Sequence, residues 1–595
     1  MCKRKESGKL LAIPAALTLF LLPSVTSTEL VQGTVIGKSF FFAYALCAVG
    51  VACIAGWLYR PKQPVFIRPT DAAVTVGIVY VLANICLTHV PVSLRFFEWT
   101  GLCLLYICLR QLEPVAFRPV WIAVVLGATV QALHGNLQLW GMLPSTSGFP
   151  MSGSFFNPGP YAGYLATALP LAVGGWLYGE GRFFRRIMAG ACLLICLALA
   201  GSHSRAAWLA TIVGTGFLVA GRFGWTHWLE SQRLSVRLAL GGLTIVCIVC
   251  AATGLYRMKA GSADGRWLIW KVTAGLVEEH PLVGIGFDGF RTRYMEQQAG
   301  YFRTHPDSAE GMLAGDTAYC FNEALQAVAE TGFIGLLVGM GILWTAFSGK
   351  HRAYQAESRM CRAGLTAIAV FALFSYPSQV LPIKAIGVCY LAGLTAIDTR
   401  GIRLAAGHKA WMPKVVSAMG MTALLIVGMM KLVPYRKAWQ EWSHSYADYR
   451  AGNYVEAARR CAQAYPWLHS HGDFLTYYGK TLAQSGDTAQ AVDVLRRAKE
   501  CYPNTILYTT LGDCYKSLGQ TAEAEQAYLQ AGYMIPHRFY PIYLLAKLYD
   551  ETAQQAKAIA AAEELLGKEV KVESTAIEQM REEMQKLINQ NKTRE

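Results

Sequence analysis

The chain reads as all-α, a polytopic membrane helix bundle of about 13 spans followed by a soluble α-solenoid. Of its 595 residues, 53% are hydrophobic and 16% charged, against roughly 25% charged in ordinary soluble domains. Apolar runs of about 20 residues, the length a helix needs to cross a hydrocarbon core of about 30 Å, recur through the first 435 positions and then stop. Beyond them glycine and alanine return every 33 or 34 residues, a period that suits stacked helix pairs.

The spans are read at 9–26, 39–59, 70–90, 93–109, 119–140, 155–178, 187–202, 205–221, 236–256, 322–347, 362–377, 379–397 and 413–433. The first follows Lys3, Arg4, Lys5 and Lys9 and resembles a signal peptide, but its cleavage region is poor and many spans follow, so it is read as a retained helix. With the amino terminus inside, alternate loops carry the basic residues: Arg60, Lys62 and Arg68; Arg110 and Arg118; Arg182, Arg185 and Arg186. Arg222, Arg233 and Arg237 continue the series, followed by Lys350, Arg352, Arg359 and Arg362, then Arg400, Arg403 and Lys409. This alternation puts the polar loop 256–321 outside the cytoplasm, and an odd number of spans puts everything after Met430 outside too. The expected domains are therefore a membrane domain, 1–433, with its large outer loop at about 257–321, and an outer repeat domain, 434–595.

A net charge of +15 raises the question of nucleic acid, and its distribution answers it. Residues 434–595 hold 19 Lys and Arg against 20 Asp and Glu, leaving 35 against 19 in the membrane part, mainly in cytoplasmic loops and the outer loop. No nucleic-acid footprint results. Most of the sixteen cysteines lie in apolar spans as small hydrophobes. Cys461, Cys501 and Cys514 lie outside on this topology, where pairing is open to them; no CxxC or Cys/His spacing for a metal occurs.

In the tail, Gly452, Gly486 and Gly519 recur with Ala457, Ala491 and Ala524, and Pro466, Pro503 and Pro536 close the units. The segments YRAGNYVEAARRCAQAYP, YGKTLAQSGDTAQAVDVLRRAKECYP and LGDCYKSLGQTAEAEQAYLQAGYMIP resemble tetratricopeptide repeats over about 446–538, with a degenerate fourth unit near 540–570. A curved array of this kind is a packing scaffold or offers a concave surface to a peptide or partner protein.

On the outer face the topology gathers His89 and Arg95; Gln131, His134, Asn136 and Gln138; Ser152 to Asn157; and His203, Ser204 and Arg205. Glu323, Gln326 and Glu330 enter the tenth span on one helical face. A carboxylate in hydrocarbon costs about 3 kcal/mol on insertion scales, so Glu330 is expected to face a protein interior or a wet cavity. In the outer loop, Trp267 and Trp270, with Leu268 and Ile269, are read as holding a first helix in the headgroup layer, and Gly284 and Gly286 as allowing a tight reversal after Pro281.

GSFFNPGPYAGYLA (Gly153 to Ala166), GSHSRAAWLA (Gly201 to Ala210), RWLIWKVTAGLVEEHPLVGIGFDGF (Arg266 to Phe290) and FNEALQAVAETGFIGLL (Phe321 to Leu337) resemble successive signatures of the O-antigen ligase and polymerase superfamily over about 40–400. The resemblance implies transfer of a glycan from an undecaprenyl-pyrophosphate carrier to an acceptor, lipid A core or a protein hydroxyl, at the periplasmic face of a bacterial inner membrane. It implies no metal, cofactor or nucleotide sugar. A polymerase of the same superfamily and a non-catalytic membrane anchor displaying the repeats to an envelope assembly are the alternatives.

By this resemblance Arg205 and Arg266 form a pyrophosphate clamp, suited by arginine's planar donor fork. His203, Asn157, Asn322 and Arg291 are further candidate substrate contacts, with Arg291 and Arg293 the weaker pair, explained as well by a solvated helix face. The ligases carry a histidine before the asparagine that opens the helix after the loop; here that position is Phe321, which cannot take a proton. Either a base comes from Glu323, His203, His305 or Asp316, or strong general-base help is not needed; Glu323 is preferred for its adjacency and its membrane face.

Overall fold

The computed structural model describes residues 2–59, 64–145, 148–238, 260–351, 353–405 and 411–592. Twelve of the thirteen expected spans coincide with helices, from Cys2–Leu21 to Trp411–Arg450; the ninth, at 236–256, lies outside the described residues but for its first three positions. Seven described helices are long and apolar enough to cross a membrane by length and composition, and Leu10–Ser24 and Leu381–Ile397 are shorter apolar stretches. The protein is multi-pass, and its described elements are helical with one exception. Val65–Ile67 and Ile402–Ala405 pair as a two-stranded antiparallel sheet.

One apolar cluster fills the bundle, with Tyr161, Tyr164, Phe371 and Tyr390 among its fully buried side chains. Small residues let helices meet there: a methyl added at Gly163 would stand 2.4 Å from Phe371, and one at Gly214 would stand 2.7 Å from Ala367. Two polar residues of the fifth span hold a neighbouring segment. Gln131 and Gln138 accept the backbone N–H groups of Ser152, Gly153 and Ser154, and the Lys38 ammonium donates to the carbonyls of Val25, Thr34 and Ser154. Together they fix the polar segment that leads into Asn157.

The Trp411–Arg450 helix runs unbroken for 40 residues, about 60 Å at 1.5 Å per residue. It crosses the expected boundary at 433/434 and supplies the first helix of the repeats, so no flexible linker separates the two parts. Helix pairs follow at Gly472–Ser485 with Thr488–Cys501, Thr505–Ser517 with Thr521–Met534, and Tyr540–Glu551 with Gln555–Gly567, and Thr575–Lys592 covers the end. Gly486, at φ +94°, takes the left-handed turn between paired helices, a conformation that disfavours any other residue. Ala457, Ala491 and Ala524 are fully buried where the helices touch.

One expectation in the tail is corrected. Pro466 lies inside the Tyr454–Leu468 helix rather than closing a unit, in its last turn, while Pro503 and Pro536 stand between helices. Cys461, Cys501 and Cys514 are free thiols, with the Cys461 Sγ 3.2 Å from the Ser445 hydroxyl.

The core of the repeats is continuous with the 260–321 loop: Leu268, Val272, Phe290, Tyr294 and Phe302 join Trp439, Trp442 and the repeat side chains in one cluster. The loop docks along the edge of the array where one pair turns into the next. Gln298 donates to the Met534 carbonyl at 2.6 Å, Arg303 to Gln530 at 2.6 Å, and Arg538 pairs with Asp316 at 2.7 Å. The first helices of successive pairs line a cavity of about 350 Å³ among Lys480, Thr509, Asp513 and Tyr540.

Candidate functional site

The Glu323–Phe347 helix is interrupted at Gly332, which takes φ +66° and ψ −179°. Residues 281–286 of the HPLVGIG segment occupy the interruption. Ile285 and Gly286 donate to the carbonyls of Ala329 and Glu330 at 2.9 and 2.8 Å, and Phe333 donates to that of Pro281 at 2.9 Å. Backbone groups released by the break thereby find partners, as they must within a membrane bundle. Only glycine fits at the crossing, because a Cβ on Gly332 would sit 1.9 Å from the Leu282 carbonyl oxygen. Gly284 and Gly286 take φ +74° and +105° in this segment, in keeping with the expected reversal.

Asn84, fully buried on the Pro69–Thr88 helix, grips the segment at both ends. Its amide donates to the Val283 carbonyl at 2.7 Å and accepts from the Phe287 N–H at 2.8 Å. Loop, third span and broken helix are locked together, which fixes where the loop's first helix, Ala260–Glu279, must end.

Arg266 projects from that helix over the ring of Phe321, 5.3 Å from its centroid. The Phe321 ring meets Tyr376 edge-on at 5.2 Å, and Tyr376 stacks on Tyr319 at 4.6 Å. Asn157 donates to the Tyr376 hydroxyl at 3.3 Å, while its Oδ1 accepts the Gly159 N–H and so caps the Pro158–Tyr178 helix. Burial pushes the Arg266 guanidinium below its ordinary value, and the neighbouring Arg205 pushes it the same way; the Tyr376 phenol acts in the opposite sense. Arg205 thus stands close enough to disfavour the charge on Arg266, a condition that an anion relieves. A cavity of about 190 Å³ opens beside Arg266, lined by it with Phe321, Ser262, Gln298 and Thr317.

Phe321 takes φ +57° and His203 φ +50°, and a bulky side chain in the left-handed region is strained unless its surroundings hold it. Cys320 provides part of that hold, its N–H bonded to Gln326 Oε1 at 3.1 Å and its carbonyl to the Trp270 indole at 3.0 Å. His203 lies in the turn before Arg205, its ring 6.5 Å from that of Trp208.

Asn322 caps the Glu323–Phe347 helix through the Leu325 N–H at 3.1 Å. Glu323 opens that helix, and its Oε1 accepts the Ser378 N–H at 2.9 Å. One turn deeper, Gln326 donates to Glu330 at 2.8 Å, and Glu330 pairs with Arg95 at 3.0 Å. Arg95 also reaches Asp288 at 3.0 Å and the Ser378 hydroxyl at 3.1 Å. Glu330 therefore faces the protein interior, as its cost in hydrocarbon demands, with a cation beside it.

Other expected residues lie elsewhere. Arg291 faces the repeats, 3.0 Å from Asp473 and with its guanidinium 4.1 Å from the Tyr502 centroid. Burial alone would lower its pKa; the Asp473 carboxylate, with the Tyr502 and Tyr319 phenols, together more than offset this and hold Arg291 above the usual guanidinium value. It is thus no solvated-face residue, whereas Arg293 is exposed. Asp316 is taken up by Arg538 and Thr505, and His305 stacks on Tyr301 at 4.6 Å on the exposed end of its helix. The expected aromatic anchor is also corrected: Leu268 is buried and Trp270 half-buried against the loop core, so Trp267 alone of the pair is exposed.

The sequence reading missed Tyr376 and Ser378. Both lie in the turn between the Gln355–Ala372 and Leu381–Ile397 helices; the expected eleventh span, 362–377, runs over Tyr376 and leaves only Ser378 outside. The sequence reading also missed Asn84, an amide near the end of an apolar span.

Residues 190–340 match the family described as O-Antigen ligase, and residues 506–537 match a tetratricopeptide repeat. The first match contains Arg205, Arg266, Phe321 and Glu323 but neither Arg95 nor the Tyr376–Ser378 turn. The chain is 24% identical over 260 residues to a protein of Rhizobium meliloti (strain 1021) named exopolysaccharide production protein ExoQ, an alignment covering 42% of this chain and 58% of that protein. A solved structure titled APC/C hetero-tetramer Cut9-Hcn1 aligns with 93% of this chain and 90% of its own at 10% identity, with a TM-score of 0.23.

Proposed function

We propose that this protein transfers a glycan from an undecaprenyl-pyrophosphate carrier to an acceptor hydroxyl at the periplasmic face of a bacterial inner membrane. The observation that carries the reading is the approach of Arg205 to Arg266 beside the Phe321 ring, which leaves Arg266 short of stabilising negative charge. A diphosphate supplies that charge, and guanidinium forks bind its oxygens in pairs. On this reading residues 1–433 form the catalytic membrane domain and 434–595 a periplasmic repeat domain, whose cavity near Tyr540 receives a protein partner.

The acceptor, a hydroxyl of lipid A core or of a Ser or Thr side chain, approaches on the face where Phe321 and Thr317 line the open cavity. Its oxygen attacks the anomeric carbon opposite the diphosphate. The new C–O bond forms as the old C–O bond to phosphate breaks, the electron pair leaves on the undecaprenyl pyrophosphate, and the hydroxyl proton passes to Glu323. The anomeric centre inverts. Glu323 is the group beside Phe321 able to take the proton, with Oε1 fixed by the Ser378 N–H so that the carboxylate cannot swing away. Arg205 and Arg266 stabilise the charge that grows on the leaving group, a contribution that costs about 100-fold or more in rate when one such donor is lost. Asn157 borders this site through Tyr376, and His203 stands two residues before Arg205.

A second reading, joining of glycan units on the carrier itself, is favoured by the likeness to a protein named for exopolysaccharide production. In cells, Arg205→Ala and Arg266→Ala are expected to accumulate lipid-linked glycan and lose product. Long carrier-bound chains in those cells mean a ligase, and single units mean a polymerase. Full product without accumulation overturns the donor site and leaves the membrane-anchored scaffold.

A further inference from the structure

We infer that Arg95 is a positioning residue for the transfer reaction, setting the place of the Glu323 carboxylate through Ser378; this rests on the glycan-transfer reading above. Its guanidinium joins three chain segments that are far apart in sequence. Nη1 donates to Asp288 and to both oxygens of Glu330, each at 3.0 Å, and Nη2 donates to the Ser378 hydroxyl at 3.1 Å. The face of the same group lies over Phe287, 5.2 Å from the ring centroid. Glu330 belongs to the broken helix, Phe287 and Asp288 follow the segment inserted in its break, and Ser378 lies in the turn that also carries Tyr376. These segments bracket Phe321 and Arg266.

A tie between helices needs Glu330 alone. The bond to Ser378 does something more, because the N–H of that same residue holds Glu323 Oε1 at 2.9 Å. Arg95 and Glu323 are thus joined through Ser378, whose hydroxyl accepts from the one and whose N–H donates to the other, linking the bundle interior to the proposed base. The same turn, two residues earlier, presents the Tyr376 ring to Phe321 and the Tyr376 hydroxyl to Asn157. Asp288, the Nη1 partner, sits at φ +63°, a strained place for a residue with a side chain, and its ion pair with Arg95 holds it there. The planar fork explains why arginine stands here: a lysine ammonium cannot span two carboxylates and a hydroxyl from one fixed plane.

The test uses the full chain in proteoliposomes, an undecaprenyl-pyrophosphate-linked oligosaccharide as donor, and release of undecaprenyl pyrophosphate as readout. Ser378→Ala removes the Arg95 acceptor and keeps the N–H to Glu323; it is expected to lower kcat about 5-fold to 10-fold while donor KM stays within about 3-fold, because Arg205 and Arg266 still hold the diphosphate. Arg95→Lys is expected to lower kcat further, with the same unchanged KM. If Arg95→Lys fails to fold, Ser378→Ala decides. Wild-type kcat in Ser378→Ala, or a rise in donor KM matching that of Arg266→Ala, overturns the positioning role. Wild-type turnover in Arg205→Ala and Arg266→Ala sinks the donor site instead, so the two failures are distinct.

Discussion

Arg266 and Arg291 sit on one loop, 25 positions apart, and end in opposite surroundings. Arg266 lies on an aromatic ring with a second cation nearby and falls below its ordinary pKa. Arg291 lies on an aromatic ring with a carboxylate nearby and rises above it. The first arrangement is costly until an anion arrives, and the second is complete as it stands. One loop therefore has two kinds of surface: Arg266 borders an open cavity, and Arg291 belongs to a joint with the repeats.

The two sides are also built differently. The pocket depends on backbone threaded through a broken helix, the joint on side-chain pairs over a shared apolar core. Breaking the backbone device should have the larger effect. Gly332→Ala places a methyl 1.9 Å from the Leu282 carbonyl oxygen at a φ that alanine avoids, so the inserted segment must leave the break and take the Arg266 helix end with it. Transfer is expected to fall below detection, with 281–286 opened to limited proteolysis while the repeats keep their protection. Wild-type transfer by this variant would show that the insertion does not form the pocket.

Much of this was legible in the sequence, and what was missed has a physical reason. Span length and the alternation of basic loops assigned Arg205, Asn157 and Glu323 to one face, because lipid constrains one dimension of the fold strongly, and the structure brings Asn157 and Phe321 together on Tyr376. Side-chain direction around the loop was not readable. Arg266 and Arg291 look alike as outer-loop arginines, and only packing against Phe321 in one case and Asp473 in the other separates them. The break at Gly332 was hidden because its partner, Leu282, is fifty residues earlier and shares no period with it. The repeat period showed through since each unit buries the same alanine, whereas the docking of Asp316 on Arg538 depends on two loops that no period relates.

The joint can be weakened with a smaller effect. Arg291→Met or Asp473→Asn removes one partner of a pair whose side chains are 33% and 29% exposed. Partial exposure places the cost between that of a surface pair and a buried one, about 2 kcal/mol. Thermal unfolding should move down by a few degrees in each single variant, and the double variant should lose less than the sum. Transfer per folded molecule should stay within about 3-fold of the parent. A large rise in donor KM in Arg291→Met would instead make Arg291 a substrate ligand and erase the contrast with Arg266.

The smallest effect comes from pH acting on the same joint. His471 caps the Gly472–Ser485 helix, its Nδ1 accepting the Phe474 N–H at 3.4 Å, and it meets the rings of Trp439 and Trp442 edge-on, 4.9 and 5.3 Å away. Burial pushes its pKa down from 6.5 to about 4, with Arg291 acting the same way and Asp473 opposing. Between these values the unfolded chain binds a proton that the folded chain refuses, so stability rises with pH across this window and is lost as pH falls through it. At pH 5.5 the loss is about 1 kcal/mol. Asp473 does not contribute there: burial would raise its pKa, but Arg291 and His471 hold it below the ordinary carboxylate value, so its stabilisation fades only below about pH 4. His471→Asn keeps a capping acceptor and removes the titrating ring. It should flatten the melting temperature of the full protein between pH 6.5 and 5, and an unchanged slope would assign the acid sensitivity to another group and leave the joint indifferent to pH.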